Sequence, residues 1–103
     1  MTKEIYKAEL PGLLEDGAML IDVREVHEHE LEDAIPGHAH VPLSTISQLA
    51  VDSQVLPRQR PLVFYCRSGL MSYQAAEIAA AWTDQPVYYL AGGLIGYADA
   101  SEA

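Results

Sequence analysis

The chain has 103 residues, enough for one compact domain over 1–103 and no more. Half of the residues are apolar, yet no apolar run approaches the roughly 18 residues that a membrane-spanning helix needs. A formal net charge of −9 with only six lysines and arginines excludes the broad basic face required by a nucleic-acid backbone or an anionic membrane surface.

Residues 1–12 contain no apolar stretch of the secretory-signal kind, so a soluble cytoplasmic protein is expected. A strand is expected near Ile5, and a short helix from Glu9 to Glu15 around Pro11. Met19-Leu20-Ile21-Asp22-Val23 reads as a buried strand. Val26 to Leu31 reads as one or two acidic turns, where Arg24 and Glu28 would pair at i,i+4 if the segment is helical. A shorter strand includes His40 and Val41, and Ser44 is placed to cap a helix running through Leu49. Leu62-Val63-Phe64-Tyr65-Cys66, after Pro61, is a run of strand formers. From Ser72 to Trp82 the chain is alanine-rich, with Ala75, Ile78, Ala79 and Trp82 at helical spacing. Val87-Tyr88-Tyr89-Leu90, between Pro86 and Gly92-Gly93, is the last expected strand. Strands alternating with helices imply parallel pairing, hence an α/β domain with a small parallel sheet covered on both faces.

The chain has one cysteine, Cys66. An internal disulfide, a Cys-x-x-Cys redox pair and a multi-cysteine zinc site are excluded by counting, so any thiol partner belongs to another molecule. Cys66 stands where a strand ends, a short loop with Gly69 follows, and a helix begins. Sites in open α/β sheets form beyond the carboxyl ends of strands. A tight loop can turn successive N–H groups inward as an anion nest, and the following helix start adds partial positive charge. Such donors favour a thiolate, the form that attacks sulfane sulfur, and can also hold a charged persulfide. The bland alternative is a buried cysteine acting as a small hydrophobe. Arg67 and the hydroxyls of Ser68 and Ser72 make little sense around such a residue.

Cys66-Arg67-Ser68-Gly69-Leu70-Met71-Ser72 resembles the loop pattern Cys-Arg-Ser-Gly-x-Arg-Ser of the rhodanese-like sulfurtransferases. Three further segments agree in order: Leu20-Ile21-Asp22-Val23-Arg24-Glu25, Ile35-Pro36-Gly37 followed by Val41-Pro42-Leu43, and Leu90-Ala91-Gly92-Gly93. The likeness covers residues 5–99. It implies a five-stranded parallel sheet flanked by helices on both faces. It also implies a ping-pong reaction in which Cys66 takes sulfane sulfur from thiosulfate or a persulfide and passes it to a thiol, cyanide or a protein. No metal or other cofactor is implied beyond the covalent persulfide. Arg67, Ser68, Gly69, Leu70, Met71 and Ser72 form the implied substrate-binding loop.

Asp22 and Arg24 admit two roles, fixing the loop by hydrogen bonds or touching substrate, and the first is favoured. Arg67 is the nearest candidate for attracting an anionic donor. Met71 stands where the pattern often has a second arginine, which removes a charge and is expected to weaken thiosulfate use. Tyr97 replaces a common Trp with another bulky aromatic. His38 and His40, and likewise His27 and His29, have His-x-His spacing, but surface or locally hydrogen-bonded histidines are the expectation. Two rivals remain: a cysteine phosphatase or arsenate reductase, and a non-enzymatic interaction module. The phosphatase-type loop has arginine six positions after its cysteine, where this chain has Ser72, so the bidentate clamp on a phosphoryl group is missing.

Overall fold

The computed structural model describes residues 2–27, 34–48, 56–57 and 59–102. Strand β1 (Thr2–Ile5) leads through a 3₁₀ turn (Lys7–Glu9) into α1 (Leu10–Glu15), β2 (Met19–Asp22) and β3 (Ala39–His40). Then come α2 (Leu43–Gln48), β4 (Leu62–Tyr65), α3 (Leu70–Ala80), β5 (Val87–Leu90) and α4 (Gly93–Glu102). The five strands pair in the order β1-β5-β4-β2-β3, every pair parallel. The architecture is the expected α/β one.

Side chains alternate across a strand, and here the alternation divides the core in two. Leu62, Phe64 and Cys66 join Ile21, Val23 and Val87 on one face, packed with Ile46 of α2 and Ala75, Ala76 and Ala79 of α3. Val63 and Tyr65 join Ile5, Leu20 and Leu90 on the other, packed with Leu10 of α1 and Leu94 of α4. All four residues of β4 are buried, as a central strand of a doubly covered sheet must be. Burying each such side chain contributes about 1.5–3 kcal/mol. The alanines of α3 let that helix lie close against the sheet, while Ile78 and Trp82 pack on the margin of the same cluster.

Several expected boundaries move. Helix α3 begins at Leu70, two residues before Ser72, because Gly69 adopts φ +110°, a left-handed conformation that ends the preceding loop. The strands expected through Val23 and Cys66 end at Asp22 and Tyr65, although the Val23 N–H still donates to the Tyr65 carbonyl. Ser44 is not the cap of α2: the helix starts at Leu43, and the carboxylate of Glu25 accepts both the Ser44 N–H (3.2 Å) and its hydroxyl (2.7 Å). Helix α4 was not among the elements expected from the sequence. The acidic turns beyond His27, the Arg24–Glu28 pair, His29 and the end of the helix at Leu49 lie outside the described residues.

Candidate active site

The alternation that sends Phe64 toward α3 sends Cys66 the same way, so its sulfur arrives at the start of that helix. Cys66 Sγ accepts the backbone N–H of Gly69 at 3.1 Å and that of Ser72 at 3.3 Å, and lies 3.6 Å from Ser72 Oγ. The Ser72 hydroxyl donates to the Gly69 carbonyl at 2.9 Å. Helix N-caps usually carry a Ser, Thr, Asp or Asn whose oxygen takes the N2 or N3 amide. Here the N-cap is Gly69, which has no side chain. The sulfur of Cys66 takes the N3 amide, that of Ser72, in its place. Negative charge on that sulfur sits at the positive end of an 11-residue helix.

Cys66 itself is buried, while Arg67, Ser68 and Leu70 are exposed and Met71 is half-buried against the α3-side cluster. The loop thus has a cation, a hydroxyl and an apolar side chain at its rim, with the sulfur at its floor. From the opposite side the loop backbone is held by α4: the Leu94 N–H donates to the Cys66 carbonyl (2.9 Å) and the Ile95 N–H to the Arg67 carbonyl (3.1 Å). No motif in the sequence marks Leu94 and Ile95 as neighbours of the cysteine, because only the docking of α4 brings them there.

Asp22 and Arg24 lie on the other face. Both are buried, and the chain bends just beyond β2 so that the Arg24 side chain meets the Asp22 carboxylate. The Arg24 guanidinium donates through Nη2 to Asp22 Oδ2 (2.8 Å) and through Nε to both carboxylate oxygens (3.1 and 3.0 Å). The Arg24 backbone N–H adds a fourth bond, to Oδ1 at 3.0 Å. Asp22 pairs in register with Tyr65, whose buried hydroxyl accepts the Ile35 N–H at 3.1 Å. Burial pushes the Asp22 carboxyl upward, but the hydrogen bonds from Arg24 and Tyr65 and the Arg24 charge outweigh it and hold the group below its ordinary value of 3.8. The same burial, with Asp22 beside it, pushes the Tyr65 phenol well above its ordinary range.

A carboxyl lowered in the folded state stabilises it fully above the unfolded pKa, and that contribution is lost as pH falls through the folded pKa. Stability measured by denaturant titration is therefore expected to fall below about pH 4. Asp22→Asn should be less stable than the parent near neutrality and show a shallower loss in acid. An unchanged acid slope would contradict this assignment.

His38 and His40 are occupied locally. His38 Nδ1 is 3.0 Å from the Ile35 carbonyl and His40 Nε2 is 2.7 Å from the Arg24 carbonyl. Among the described residues no group of three His, Cys, Asp or Glu is arranged to hold a metal, and no helix is long and apolar enough to cross a membrane. Tyr97 packs at the edge of the second cluster, with Lys7 Nζ 4.4 Å above its ring.

The model of the rhodanese-like domain family matches residues 7–100. A protein of Allochromatium vinosum named sulfurtransferase is 32% identical over 100 residues, covering 95% of this chain and 90% of its own. A protein of Desulfurococcus amylolyticus named tRNA sulfurtransferase is 34% identical over 92 residues, covering 89% of this chain, which spans only 17% of that protein's length. The crystal structure of a rhodanese homologue from Thermus thermophilus superposes with a TM-score of 0.73 at 34% identity, covering 90% of this chain and 98% of that one. Family match, parallel five-stranded sheet and cysteine loop coincide: the chain belongs to the rhodanese-like domain family.

Proposed function

We propose that the protein is a sulfurtransferase that carries sulfane sulfur as a persulfide on Cys66. The observation that carries this reading is the pair of backbone N–H groups, from Gly69 and Ser72, aimed at Cys66 Sγ from the start of α3. These donors suit a thiolate and equally suit a sulfur chain that keeps a negative charge after the first step.

The Cys66 thiolate attacks the outer sulfur of a sulfane donor. With thiosulfate a new S–S bond forms, the bond to the sulfonate sulfur breaks, and sulfite leaves with the electron pair. The product is Cys66–S–S⁻. With a persulfide donor the leaving group is the donor's thiolate. An acceptor nucleophile then attacks the terminal sulfur: cyanide leaves as thiocyanate, a thiol leaves as a persulfide, and the Cys66 thiolate returns. No cofactor enters either half. A reducing, cytoplasmic setting keeps the single thiol free between turnovers.

The test is mass spectrometry after incubation with thiosulfate and, separately, with a small persulfide. A gain of about one sulfur atom, removed by cyanide or dithiothreitol, is expected. No adduct from any donor would reject the reading in favour of a non-enzymatic interaction module.

The rim also sets a preference among donors. Met71 places an apolar side chain where the resembling pattern has a cation, leaving Arg67 as the one cationic residue within Cys66–Ser72. Met71→Arg should raise the rate with the thiosulfate dianion by roughly tenfold, one charge-assisted contact, and change the rate with a persulfide donor much less. The long stem of arginine can cover the apolar surface that Met71 covers while its head stays in water. Equal or lower thiosulfate activity would refute the account of the charge deficit.

A further inference from the structure

The turn Gly92-Gly93 is where α4 meets the cysteine loop. Gly93 has φ +57°, and a Cβ at this position would overlap the Cys66 carbonyl oxygen and stand 2.6 Å from that of Arg67. These are backbone atoms, which cannot swing aside as a side chain can. Only a residue without Cβ lets the first turn of α4 come close enough for its Leu94 and Ile95 amides to reach those two carbonyls.

A peptide unit is planar and trans, so its C=O and N–H point in opposite directions. Fixing the carbonyls of Cys66 and Arg67 toward α4 therefore turns the N–H groups of Arg67 and Ser68 away from α4. It also fixes the path of the backbone that enters the turn at Gly69, whose N–H reaches the sulfur. We propose that Gly93 is a positioning residue: it lets α4 lock the two peptide planes behind Cys66, which holds the loop in the form whose amides face the sulfur. The inference rests on the reading of Cys66 as the sulfur carrier.

The test is the thiolate ultraviolet absorbance of the full chain at neutral pH, taken as the difference from Cys66→Ser, together with the iodoacetamide alkylation rate and thermal midpoint. Gly93→Ala is expected to lose more than half of the thiolate signal and to react about tenfold more slowly. Gly96→Ala is the control. A Cβ there would sit 2.9 Å from the Ala91 carbonyl oxygen, so it strains the same helix without meeting the loop. It should lower the thermal midpoint and leave the thiolate signal unmoved. If Gly93→Ala does not fold, Ile95→Pro takes its place: it removes the amide that holds the Arg67 carbonyl and puts the ring Cδ where that hydrogen stood, which pushes the carbonyl off α4. It should also lose thiolate signal. A folded Gly93→Ala or Ile95→Pro with the parent's signal would overturn the proposal, as would an equal loss in Gly96→Ala or the absence of a thiolate band in the parent. Sulfur loading is scored separately. If the parent shows the thiolate band but takes no sulfur, the transferase reading fails while the positioning role is still decided by the variants.

Discussion

Cys66→Ser is expected to abolish sulfur loading and to lower transfer activity at least about a thousandfold, the scale on which nucleophile removal acts. No second cysteine exists to take over. The hydroxyl that replaces the thiol is far less nucleophilic at neutral pH, yet it can accept the same amides that Sγ accepts from Gly69 and Ser72. The fold should therefore survive, with a stability change of about 1 kcal/mol from the smaller, more polar atom in a buried position. The measurements are the mass adduct, the cyanide-coupled rate and the denaturant midpoint. Loading in this variant would remove Cys66 from the mechanism. Unfolding would mean that the sulfur is there for packing.

Arg24→Met should be strongly destabilising. It leaves the Asp22 carboxylate buried without the guanidinium that donates three of its hydrogen bonds. Breaking a buried pair by removing one partner costs about 3–5 kcal/mol, because the remaining charge is uncompensated. That is a large share of the stability of a domain this size. The double variant Asp22→Asn with Arg24→Met should recover a substantial part of the loss, since an amide carries no charge to strand. Urea midpoints of the parent, the two single variants and the double variant form the cycle that measures this coupling. A loss below about 1 kcal/mol for Arg24→Met would place the pair in the class of weak surface bridges.

Much of the frame could be read in the sequence for definite reasons. Buried parallel strands are short apolar runs, and Leu62–Tyr65 and Val87–Leu90 are such runs. The alanines of α3 sit at helical spacing and all three on the sheet side are buried. The loop was visible because a glycine separates a strand-end cysteine from a helix. What escaped depends on contacts between distant residues. Ser44 looked like a cap because its local sequence permits one, but Glu25, 19 residues earlier, supplies the acceptor instead. Helix α4 was hidden because it opens with Gly93 and carries Gly96, residues that depress helical propensity. Its stability comes from docking Leu94 and Tyr97 on the second cluster. The amide contacts from Leu94 and Ile95 to the cysteine loop follow from that docking and have no local signature.

Tyr65 and Cys66 are adjacent in the chain, yet they leave the sheet in opposite directions. The sulfur and the buried ion pair therefore sit in different layers, and the layers meet where α4 holds the carbonyls of Cys66 and Arg67. The ionic lock at Asp22 and Arg24 secures one layer, while the Cys66 sulfur lies in the other, against the start of α3. Under the proposed function, substitutions at the exposed Arg67 and Leu70 would retune which sulfur donors are accepted without touching the buried Asp22–Arg24 pair.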